Sequence, residues 1–113
     1  MQHDRRRFVP KVDFITTPGY LSGPGAREAA GLPERTGPIN VVSTLALMDF
    51  DRQIGGTCRM RLAATHPGVT VDQVVENTGF DLIIPPEVGV NEPPTREELR
   101  LLREEIDPER LYI

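Results

Sequence analysis

Residues 65–85 constrain this chain more than any other stretch, because local physics assigns nearly every residue in them. They read as strand end, tight turn, capped helix, turn and buried strand. Thr70 can cap a helix, and Gln73 stands three residues on, the spacing of a capping box. Val71, Val74 and Val75 fall at i, i+3 and i+4 and share one helix face. Gly79 can stop the helix in a left-handed conformation without a Cβ penalty. Leu82, Ile83 and Ile84 form a short apolar run, as in a strand covered on both faces. The unit predicts a βαβ-like arrangement, and so an α/β fold with a mostly parallel sheet.

The remaining segments supply further strands and one more main helix. Residues 8–16 predict a strand, with Val12, Phe14 and Thr16 alternating with Lys11, Asp13 and Ile15, and with Pro10 tolerated near its start. The apolar, β-branched run 39–50 predicts one long strand. Cys58, Met60, Leu62 and Ala64 alternate with Arg59, Arg61 and Ala63, which predicts a half-exposed strand with its arginines in water. Gly55-Gly56 lie between these two strands, which are expected to form a hairpin. Thr95 and Glu98 make a second capping box ahead of a helix over 96–106, with Leu99, Leu102 and Ile106 as its apolar stripe. Asp107-Pro108 ends it.

Ten glycines and eleven prolines in 113 residues fall short of low complexity and imply long ordered loops. The densest lies at residues 17–38, where residues 24–30 could form one or two helical turns capped by Ser22. A loop this long is expected to be functional or docked on a partner. With six aromatic residues and no tryptophan, the core must rest on Val, Leu and Ile.

Composition excludes several functions. The net charge is −4, and the only basic run has no interleaved aromatics, so nucleic acid is not an expected partner. Lys11 is the only lysine and sits in neither a phosphate-loop nor a Schiff-base context. Cys58 is the only cysteine, which rules out an internal disulfide and a cysteine-rich zinc site. It reads as a small buried hydrophobe on a strand, in keeping with a reducing, cytoplasmic compartment. No apolar run approaches membrane-spanning length, and the N-terminus lacks the apolar core of a signal peptide. His3 and His66 fit no metal-ligand spacing, so no metal is expected.

Four residues remain as substrate-binding candidates: Arg5, Arg6, Arg7 and His66. Guanidinium groups match phosphate geometry, although the arginine run serves equally well at an interface or in solvent. His66 precedes Pro67-Gly68 at a strand end. It could act as acid or base near neutral pH, yet a structural turn histidine accounts for it as well. Gly23-Pro24-Gly25 is no phosphate cradle, because proline removes the donors one needs; a loop at a subunit contact fits it better. Glu76 stands near a helix C-terminus, where the dipole disfavours a carboxylate, and reads as a surface acid.

Several blocks in order along the chain resemble the β subunit of family I CoA-transferases, the group of glutaconate and 3-oxoadipate CoA-transferases. They are His3-Asp4-Arg5-Arg6-Arg7-Phe8-Val9, Val12-Asp13-Phe14-Ile15-Thr16-Thr17-Pro18-Gly19-Tyr20, Gly23-Pro24-Gly25-Ala26-Arg27-Glu28, Thr36-Gly37-Pro38, His66-Pro67-Gly68-Val69-Thr70, Glu76-Asn77-Thr78-Gly79-Phe80 and residues 95–107. The resemblance covers the C-terminal part of such a subunit, so residues 1–113 are expected to be that part of one domain. It implies an open sheet with a hairpin, two main helices and long ordered loops. In the family a glutamate in the N-terminal half attacks an acyl-CoA thioester and becomes a glutamyl-CoA thioester. That intermediate passes CoA to an acceptor acid, splitting one acyl transfer into two steps. No position of this chain matches that glutamate, so no catalytic residue is assigned and the isolated chain is expected to be inactive. The resemblance further implies an α-subunit partner in a hetero-oligomer. Acyl-CoA and a di- or oxo-carboxylic acid would be the substrates, with no cofactor beyond the CoA thioester itself. Ring-opening hydrolysis of a CoA-linked substrate, or a non-catalytic assembly role, are the alternatives.

Overall fold

Apolar alternation builds a four-stranded sheet in the order β1 (Val41–Val42), β2 (Ala46–Phe50), β3 (Met60–Thr65) and β4 (Gly89–Val90). The computed structural model describes residues 1–33 and 36–112. β2 and β3 form the expected antiparallel hairpin. Across it Arg61 grips Asp49 with two hydrogen bonds, of 2.9 and 2.6 Å, on the outward face. β4 runs parallel to β3, and Ile83 makes a further parallel bridge to Arg61.

Among the described residues three α-helices accompany the sheet: α1 (Ala26–Ala29), α2 (Val71–Glu76) and α3 (Arg96–Leu101). α2 lies in the connection from β3 to β4, so the βαβ-like unit is real. Its capping box pairs Thr70 with Gln73, and that of α3 pairs Thr95 with Glu98. Phe8, Ala46, Met48, Leu62 and Val74 form the buried core. It draws on β2, β3, α2 and one residue of the N-terminal segment.

The structure corrects several expectations. The run 39–50 is two antiparallel strands, and the sheet is therefore mostly antiparallel. Its break lies at Ser43, whose hydroxyl accepts the N–H groups of Leu45 (3.2 Å) and Ala46 (3.0 Å). A side chain supplies there the turn that glycine or asparagine commonly signals. No strand forms at residues 8–16. Phe8 is drawn into the core, while Val12, Phe14 and Ile15 stay exposed. Residues 82–84 are only partly covered and make the single bridge at Ile83. Val75 faces solvent instead of sharing the core with Val74.

Cys58 precedes β3 and is half-buried, with φ at +56°. Gly25, with no side chain to offer, caps α1 in place of Ser22. The helix over 96–106 changes to a π-helical turn at Leu102–Ile106, and neither part has a buried residue. Gly79 does not end α2 with a positive φ; its service is a close approach to Phe8, described below.

The long loop is held largely by this chain itself. The Tyr20 hydroxyl donates to Pro38 O (2.6 Å), its ring lies 5.1 Å from that of Phe50, and Arg27 donates to Gly19 O and Thr36 Oγ1.

The fold is open for its size. Its radius of gyration is 16.4 Å, against about 13 Å for a self-contained domain of this length. Its accessible surface is 8645 Å², against roughly 6,200 Å² for a compact protein of its mass. Exposed apolar side chains include Phe14, Ile39, Val42, Ile54, Ile106 and Leu111.

Candidate functional site

The N-terminal segment begins with a turn organised by Asp4. Its Oδ1 accepts the N–H groups of Arg6 and Arg7, both at 3.0 Å, and its carboxylate pairs with the Arg7 guanidinium. Arg5 reaches α2 and donates from Nε to Glu76 O at 2.6 Å. A cation there complements the carbonyls that a helix end leaves unpaired. The three arginines are thus divided between α2, Asp4 and solvent. Only Arg5 lines the 360 Å³ groove that Val75, Phe80, Leu82 and Ile84 make along the end of α2.

The segment is pinned by His3, which sequence reasoning set aside. The ring is 3% exposed and stacks on Phe8 with centroids 3.9 Å apart and planes 5° apart. Nε2 lies 2.9 Å from Thr78 Oγ1 and Nδ1 lies 2.8 Å from Ser43 Oγ. Thr78 Oγ1 donates its proton to Val74 O (2.7 Å), so it accepts from Nε2–H. Ser43 Oγ, beside Nδ1, also donates to Ala46 O (3.1 Å), as Thr78 Oγ1 does to Val74 O. Burial holds the imidazole below the ordinary histidine range, against the pull of the Asp4 carboxylate. Sequence separations of 40 and 75 residues hid this arrangement; no local spacing signals it.

His66 stands on the opposite side of the same serine. Its Nε2 donates to Ser43 O at 2.8 Å, and Nδ1 then accepts from Asn91 Nδ2 at 3.1 Å. Its backbone N–H donates to Leu45 O (2.9 Å). Both ring nitrogens hold the end of β3 against the β1–β2 turn and the residue after β4. Of the four candidates Arg5 lines this groove, while Arg6, Arg7 and His66 do not. Glu76 is exposed, and only its carbonyl is engaged by Arg5.

The Gly23-Pro24-Gly25 loop closes a second cavity, of about 230 Å³, with Arg27, Glu28, Arg52 and Cys58 in its wall. The Arg27 guanidinium is spent on Gly19 O and Thr36 Oγ1, so it braces the loop. Among the described residues no three His, Cys, Asp or Glu side chains gather to hold a metal ion, and no helix is long and apolar enough to cross a membrane.

Comparison with known proteins accounts for the whole arrangement. The sequence model of the coenzyme A transferase family matches residues 1–77. The β subunit of glutaconate CoA-transferase from Acidaminococcus fermentans is 45% identical over 113 residues, covering 100% of this chain and 41% of that protein. The cholesterol ring-cleaving hydrolase IpdB subunit of Rhodococcus jostii is 37% identical over 110 residues, covering 97% of this chain and 41% of that one. The crystal structure of glutaconate coenzyme A-transferase from Acidaminococcus fermentans superposes with a TM-score of 0.88 at 44% identity, over 100% of this chain and 42% of that chain. The chain spans about two fifths of the length of these relatives. The mixed open sheet, with its helices and ordered loops, is thus a piece of a known architecture, and the chain belongs to the coenzyme A transferase family.

Proposed function

We propose that these 113 residues form the C-terminal part of a CoA-transferase β subunit that acts in the cytoplasm with an α subunit. The complex would move CoA between an acyl-CoA and a di- or oxo-carboxylic acid. The observation that carries this reading is the superposition with glutaconate CoA-transferase at a TM-score of 0.88 over the whole chain. Identity to that transferase, 45%, exceeds the 37% to the ring-cleaving hydrolase, which favours transfer over hydrolysis. The nucleophilic glutamate of the two-step acyl transfer would lie outside these residues. In this chain Arg5 is the arginine of the run best placed to meet an anionic substrate, because it lines the groove at the end of α2.

Surface area supports a partner. The roughly 2,400 Å² of accessible surface beyond that of a compact protein of this mass is of the size that obligate subunit interfaces bury. Phe14, Ile39 and Leu111, exposed here, are apolar groups suited to such a contact.

Co-expression with the α subunit tests the reading. The expected result is a stable complex by native mass measurement, with CoA transfer from acetyl-CoA to glutaconate once the remaining β-subunit residues are supplied. The 113-residue chain alone should show no turnover. Absence of any complex, or turnover by the chain alone, would overturn the proposal.

A further inference from the structure

We draw no further inference here: the strongest candidate, the groove along the end of α2 lined by Arg5, Val75, Phe80, Leu82 and Ile84, is an unpartnered apolar face of a chain that spans about two fifths of its relatives, and nothing in the structure shows what covers it.

Discussion

Replacing Gly79 by alanine should loosen the N-terminal segment from the sheet. The backbone at Gly79 is not in the left-handed region, so the substitution carries no conformational strain. The obstacle is proximity. A Cβ at this position would overlap the carbonyl oxygen of Phe8 and stand 3.4 Å from Pro10 Cδ. The two backbones come so close because Gly79 N–H donates to Phe8 O at 2.7 Å. Relief requires them to part, which breaks that bond and disturbs the stack of Phe8 on His3. Overpacking costs about 1–3 kcal/mol and the lost hydrogen bond about 1 kcal/mol. Reduced freedom of the unfolded chain returns about 0.4–1 kcal/mol. The net loss is therefore about 1–3.5 kcal/mol, capped by the free energy with which the segment is docked. Urea denaturation measures it. Gly89→Ala is the control, because a Cβ there meets Ala63 O and Ala64 Cβ at an ordinary 3.7 Å, and its midpoint should barely move. A Gly79→Ala loss within about 0.5 kcal/mol of zero, the range of innocuous surface changes, would refute the close-approach argument. So would equal damage from Gly89→Ala.

Three further outcomes are expected. Leu62→Ala removes a fully buried side chain at the centre of the core and should cost about 2–5 kcal/mol in the same denaturation. Thr70→Ala opens the capping box of α2 and should cost about 1 kcal/mol, read as a lower denaturation midpoint with an unchanged slope. For His3 the folded pKa lies below the unfolded value of 6.5, so the unfolded chain binds the proton first as pH falls. Its contribution is complete above that value and declines as pH drops below it towards the lowered folded pKa. The decline is at most about 1.4 kcal/mol per pH unit, and midpoints measured across pH 7.5 to 5.5 in parent and His3→Gln check it.

Some of this fold was legible because its determinants are local. Thr70 with Gln73 and Thr95 with Glu98 are capping boxes in the sequence and in the structure. Gly55-Gly56 marked the β2–β3 hairpin, and alternation from Met60 to Ala64 placed Leu62 inward and Arg61 outward. Other expectations failed where a distant group decided the outcome. Residues 8–16 carry a strand pattern, yet no strand among the described residues pairs with them, and Phe8 gains more from His3 and the core. The break at Ser43 escaped notice because a hydroxyl, not a glycine, makes the turn. Arg5, Arg6 and Arg7 look like one basic cluster, but Asp4 and Glu76 O divide them.

The sequence by itself determined the family, the starts of α2 and α3 and the hairpin, since caps, turn residues and period-two patterns act over a few residues. Only the tertiary structure decided that His3 and His66 flank one serine, that Gly79 is small for the sake of Phe8, and that the sheet is mostly antiparallel. The two histidine contacts span from 23 to 75 residues of chain. Burial and backbone proximity fix such meetings, and one-dimensional spacing does not carry them.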